Sequence, residues 1–125
     1  MNIRQIFLLV TAVGLIPFAL SYGIAPHRSL GYLFGIFVGD ANLVHIFRAV
    51  MGLYLAMALF WILGTFKAEL RQAALCSLVV FMFGLAGGRI LSLILDGIPH
   101  WILIVYLFLE LAFGSFGMIL LKKPE

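Results

Sequence analysis

The stretch AALCSLVVFMFGLAGGRILSLIL, residues 73–95, decides the fold. It carries a single formal charge, Arg89, in 23 residues. The hydrocarbon core of a bilayer is about 30 Å thick and takes roughly 20 apolar residues of helix to cross. A run of that length satisfies its own backbone in lipid only as a helix. Three further stretches pass the same test. Residues 6–25 carry no charge, residues 44–64 hold His45 and Arg48 near their start, and residues 101–121 hold Glu110 near their middle. Four strands could not close a barrel, and the runs do not alternate polar with apolar residues. The expected architecture is all-α: an integral membrane four-helix bundle forming one domain over residues 1–125.

Composition points the same way. Of 125 residues, 65% are hydrophobic and 10% charged, against about 45–50% and about 25% in soluble domains. A soluble chain this short cannot bury so much apolar surface. It also has too little charge for a disordered chain. Cys76 is the only cysteine, which excludes a disulfide scaffold, and we expect it to be a small buried hydrophobe. The net charge is +3, but the basic residues sit at the ends of apolar runs and form no stripe for nucleic acid. Arg4, Lys67, Arg71, Lys122 and Lys123 flank one end of the expected bundle and Arg28 the other. By the positive-inside rule both termini lie in the cytoplasm. Trp101 then anchors the outer interface and Trp61 the inner one. A signal peptide is the alternative reading of the N-terminus, but the apolar run is long and Pro26 is a poor residue after a cleavage site.

The connection from 26 to 43 is not an ordinary polar loop. Residues 30–38 are apolar yet too short to span, so they are expected at the interface or as a re-entrant segment. Gly31, Gly35 and Gly39 would share one smooth face if this piece were helical.

Three charges fall within spans. Each unpaired charge costs about 2.5–3.5 kcal/mol at the bilayer centre, so Arg48, Arg89 and Glu110 must face inward and find partners. At about 1.5 Å per residue they lie roughly 6, 9 and 13 Å below the outer end. One cluster in the outer leaflet is the expected arrangement. Helical spacing adds His45 beside Arg48, Ser92 and Asp96 beside Arg89, and Tyr106, Gly114 and Gly117 beside Glu110. Gly84 and Gly88 form a small-xxx-small pair suited to close helix contact. Asp40, Asn42, Asp96 and His100 lie in the connections above. The expected picture is a polar pocket that opens outward over an apolar floor. With no further ligand cluster, His45 and His100 are interface residues rather than a metal site.

Two stretches carry a resemblance. Asn42, His45, Arg48, Gly52 and Tyr54 follow N-x-x-H-x-x-R-x-x-x-G-x-Y, and Gly88, Arg89, Ser92, Asp96, Gly97 and Pro99 follow G-R-x-x-S-x-x-x-D-G-x-P. Together with Glu110 they resemble the signatures of a bacterial family of short four-helix membrane proteins catalogued as a domain of unknown function. The resemblance runs from about residue 42 to the end. It implies a bacterial inner-membrane protein and supplies no substrate. A likeness to the DoxX-like proteins rests on architecture alone. Small multidrug exporters use a glutamate in the first helix, which is uncharged here, and the polar track of small fluoride channels is missing.

The pocket residues Arg48, Arg89, Glu110, Asp96, His45, Ser92, Asn42 and Tyr106 support a non-enzymatic binding or accessory role. The ligand would be a lipid headgroup, a small anion or a partner membrane protein. Arginine suits such groups because its planar fork binds two oxygens at once. Apart from the bilayer, a homo-oligomer is the other expected association, through the glycine faces. The alternative is an oligomeric transporter or channel with the Arg/Glu cluster as its coupling or selectivity site. A lipid-modifying enzyme is least supported, since no nucleophile–base pair, metal set, phosphate loop or cofactor motif is present. A purely structural reading also stands, in which buried ion pairs set helix register.

Overall fold

The computed structural model describes residues 1–123. Among them the chain forms α1 (Ile3–Gly23), α2 (Pro26–Phe34), α3 (Ala41–Phe66), α4 (Ala68–Asp96) and α5 (Trp101–Lys122), with no strand. All except α2 are long and apolar enough to cross a membrane. The chain is a multi-pass membrane protein whose surroundings are a lipid bilayer. Their outer surfaces carry Val10, Val13, Leu53, Leu59, Val80, Leu91 and Ile94, all exposed, as suits helices bathed in hydrocarbon.

Polar residues expected in loops instead extend and cap the helices. Asn2 starts α1 through a reciprocal capping box: its side chain accepts from the Gln5 amide at 3.0 Å, and the Gln5 side chain accepts from the Asn2 amide at 2.9 Å. The Asp40 carboxylate accepts from the Leu43 amide at 2.8 Å and opens α3 earlier than apolarity alone marks. Between α3 and α4 the connection shrinks to Lys67. Arg71 folds back there, donating to the carbonyls of Gly64 at 3.1 Å and Thr65 at 2.9 Å. Both carbonyls lie past the last helical donors of α3, and the Thr65 carbonyl also accepts from Gln5 Nε2 at 3.0 Å. Gly97, with φ of 96°, turns the chain out of α4 just before Pro99.

Close packing depends on missing side chains. A Cβ on Gly23 would collide with Met51, and one on Gly64 with Ala74. These contacts press α1 against α3 and α3 against α4. Tyr54, Ala58 and Trp61 of α3 and Leu75, Leu78 and Met82 of α4 build the core with Leu8, Ala12 and Leu15 of α1. Trp61 is completely buried and gives its indole N–H to Ser77 Oγ at 3.0 Å. It is therefore a core residue and not the interfacial anchor expected from its position. Its buried N–H finds a hydroxyl on the neighbouring helix, which removes the need for water. Trp101, by contrast, is 68% exposed. Cys76 also departs from expectation: it is exposed on α4, because the core-facing positions there are Ala74, Leu75 and Leu78.

Arg4 does more than mark topology. It is buried, and its guanidinium donates to Gln72 at 3.2 Å, to the Leu120 carbonyl at 2.8 Å and to the Lys123 carbonyl. The two ends of the chain are thereby tied at one end of the bundle, with Lys67 and Arg71 (the terminal end). Helix α2 and residues 97–100 lie at the opposite, loop end.

The apolar connection is neither a skimming loop nor a smooth glycine face. Pro26 opens α2, where its fixed φ and missing N–H suit a first turn. Gly35 adopts φ of 69° and ends the helix, with the Ile36 amide reaching the Leu30 carbonyl at 3.2 Å. The helix stops before Gly35 and Gly39 can join Gly31 on one side. Leu30, Phe34 and Val38 instead turn inward and pack on Tyr22, Phe47, Leu103 and Tyr106. This segment forms a roof over the loop end.

Candidate functional site

The intramembrane charges pair as the cost of isolation demands, but only in part as the sequence reading arranges them. Arg89 Nε donates to Glu110 Oε1 at 2.8 Å, linking α4 to α5. Glu110 is buried at 7% exposure. Its stripe on α5 behaves as the spacing predicts, since Gly114 and Gly117 are buried below it. A Cβ on Gly117 would come within 2.8 Å of Val79, and one on Gly114 within 3.0 Å of Phe83. Small residues there bring α5 close enough to α4 for the carboxylate and the guanidinium to meet.

Arg48 does not join this pair. It turns to the end of α1 and donates to the Gly23 carbonyl at 2.9 Å and the Ile24 carbonyl at 3.4 Å. These are carbonyls without a helical donor beyond them, and a cation at a helix C-terminus is well placed electrostatically. The expected three-charge cluster is therefore a two-charge pair and a separate helix cap.

Asp96 stays on the exposed end of α4 and accepts from Ser92 Oγ at 2.8 Å. It does not meet Arg89. Asn42 and His45 are exposed on the first turns of α3. His100 caps α5, its Nδ1 accepting from the Ile102 amide at 3.2 Å. No group of three or more potential metal ligands exists among the described residues. Gly84 and Gly88 face open space, since a Cβ on either would meet nothing within 4 Å. The close contact expected there is made by Gly114 and Gly117 of α5 instead.

Around the Arg89–Glu110 pair lies a cavity of about 210 Å³ between α1, α3, α4 and α5. Among the residues named from sequence, Arg89, Glu110 and Tyr106 line it. Ser92 lines a second groove of about 370 Å³ between α4 and α5, which also reaches Arg89. The guanidinium carbon of Arg89 stands 5.6 Å from the centre of the Tyr106 ring, a cation–π contact. Tyr22 and Tyr54 line the same cavity as the two charges. Thr11, Phe18, Met82 and Phe113 complete the part of the wall that matters here.

The sequence reading missed the α1 and α3 contributions. The stretch 6–25 that forms most of α1 has no charge and reads as a plain span. Yet Thr11, Leu15, Phe18 and Tyr22 recur at intervals of four, three and four residues, which is one helical face. A hydroxyl and two aromatic rings on one stripe of an apolar helix are a legible signal. Tyr54 lies in the first signature stretch, where Arg48 draws attention away from it.

The cavity also opens in a different direction. Asp40, Asn42, Asp96 and His100 are absent from its lining. At the loop end Tyr22 and Tyr106 are covered by the α2 roof, with Phe34 edge-on to Tyr106 at 6.0 Å. An outward mouth is thus replaced by an apolar lid, because the 30–38 segment is apolar enough to prefer the bundle to water.

Comparison with protein-family models matches residues 3–121 to a domain of unknown function, DUF4345. No curated protein and no solved structure matches the chain.

Proposed function

Because the chain belongs to the DUF4345 family, whose description names no activity, we propose a function from the pocket alone: it is a non-enzymatic binding protein that holds the polar head of a membrane-dissolved molecule beside Arg89 and Glu110. The observation that carries this reading is a charged pair set in the wall of an otherwise apolar cavity. Charges inside a membrane are costly and are retained where they bind or position something. A purely structural pair would need no cavity beside it. The arginine fork has N–H groups beyond the one given to Glu110, and these can meet an oxygen acceptor.

The transport alternative has less support. Toward the terminal end the bundle axis is filled by Phe7, Leu8, Leu75 and Leu78, all buried. The polar lining of the cavity stops at Glu110 and Thr11. We further place both termini in the cytoplasm of a bacterial inner membrane, since Arg4, Lys67, Arg71, Lys122 and Lys123 crowd the terminal end.

Mass spectrometry of lipids retained through purification tests the binding role. The wild-type protein should hold a lipid in near-stoichiometric amount, Arg89→Leu should lose it, and Arg48→Ala should keep it. Equal retention by wild type and Arg89→Leu refutes the reading.

A further inference from the structure

The gap between α1 and α5 is bridged by aromatic rings at two levels. Near the loop end Phe18 meets Tyr106 edge-on at 4.8 Å. Near the terminal end Phe7 lies 5.9 Å from Phe113 and 5.0 Å from Phe116. Phe7 and Phe18 are eleven residues apart on α1, about 16 Å along its axis. Between the bridges α1 exposes Val10 and Gly14, and α5 exposes Leu109. All three line the cavity. A side chain at Gly14 would meet nothing within 4 Å. With the α2 roof above and packed leucines below, this gap is the mouth of the cavity, and it faces the hydrocarbon.

Charge and shape restrict what can enter. Arg89 and Glu110 already neutralise each other. An anion in the pocket would add a third charge without a partner, which a membrane interior penalises. An uncharged oxygen acceptor has no such cost and can take hydrogen bonds from the guanidinium and the tyrosine hydroxyls. The rings of Phe18, Tyr22, Tyr54, Tyr106 and Phe113 offer faces and edges to a flat ring. Sites for drug-sized ligands run about 300–1,000 Å³, so about 210 Å³ takes one ring-sized head and leaves an attached chain outside in the lipid.

We propose that the pocket admits, sideways from the bilayer between α1 and α5, the uncharged carbonyl-bearing ring of a single-chain lipid, the chemistry of a lipid-soluble quinone. The ring oxygens accept from Arg89 and the tyrosines, and the chain leaves past Val10, Gly14 and Leu109. This inference rests on the reading of the pocket as a binding site and adds the ligand class and the route.

The test is equilibrium binding to the full chain in nanodiscs of zwitterionic lipid, with empty nanodiscs subtracted. The probes are a decyl-substituted benzoquinone and, as the anionic counterpart, oleate. Saturable quinone binding is expected, with none for oleate. Gly14→Trp and, from the other side of the mouth, Leu109→Trp should each weaken quinone binding about tenfold or more, on the order of 1.4 kcal/mol. Val13→Trp, on the lipid side of α1, should bind as wild type does. Melting of each variant by circular dichroism separates blockage from misfolding. Wild-type affinity in both folded mouth variants overturns the sideways route. Saturable oleate binding without quinone binding overturns the ligand class and leaves the binding reading standing. If neither probe saturates while a different lipid is retained on purification, the ligand class falls alone. If no lipid is retained either, both readings fall.

Discussion

Replacing Arg89 by methionine strands the Glu110 carboxylate inside the bundle, and the consequence can be worked out from the pair's geometry. The two groups meet at 2.8 Å, with side chains only 21% and 9% exposed, so little solvent screens them. For charge centres about 4 Å apart and an effective dielectric constant near 20, the attraction is about 4 kcal/mol. Losing one partner of a shielded pair costs about 3–5 kcal/mol in soluble proteins. The cavity beside Arg89 relieves part of that here, and we expect about 2–3 kcal/mol for Arg89→Met and for Glu110→Leu alike. The double variant carries no stranded charge and should lose only about 1–2 kcal/mol, which leaves a coupling of about 3 kcal/mol. Reversible unfolding by dodecyl sulfate in mixed micelles, followed by circular dichroism, measures all four corners of the cycle. A coupling below about 1 kcal/mol, the range of water-exposed pairs, would refute the claim that these side chains meet in a dry interior.

Other outcomes follow from single contacts. Arg48→Ala removes the donor to the Gly23 and Ile24 carbonyls and should cost about 1.5–3 kcal/mol in the same unfolding assay without loss of ligand; loss of ligand at unchanged stability would put Arg48 in the site. Gly117→Val drives a branched side chain into Val79 and should destabilise by about 1–3 kcal/mol, whereas Gly84→Ala meets nothing and should be neutral or gain up to about 1 kcal/mol. Marked destabilisation by Gly84→Ala would show that a second copy or another partner covers that face. In a Cys76→Ser background, a cysteine at Lys67 should react with membrane-impermeant maleimide only from the cytoplasmic side, and one at Arg28 only from the outer side; the reverse pattern inverts the assigned orientation.

The departures from the sequence reading share one cause. Whether a helix forms in 73–95 is settled by apolar length, but which way it faces is not. These helices are apolar all round, so periodicity leaves rotation about each axis open. Rotation is set where backbones come closest, at Gly23 against Met51, Gly64 against Ala74 and Gly117 against Val79. That rotation carries Arg89 to Glu110 and leaves Arg48 at the end of α1. It also turns Trp61 inward and Cys76 outward. The mouth is hidden for a related reason: it depends on Val10, Gly14 and Leu109, apolar positions that carry no charge to mark them.

Residue order alone determined four helices long and apolar enough to cross a bilayer, because a lone run of that length and apolarity pairs its own backbone in lipid only as a helix. It also determined that charges at 89 and 110 need partners, since hydrocarbon offers none. Tertiary structure decided which partners they took, and it laid an apolar roof across the loop end and left the gap between α1 and α5. Those outcomes depend on side-chain volume summed over neighbouring helices, and no single stretch of sequence contains that sum.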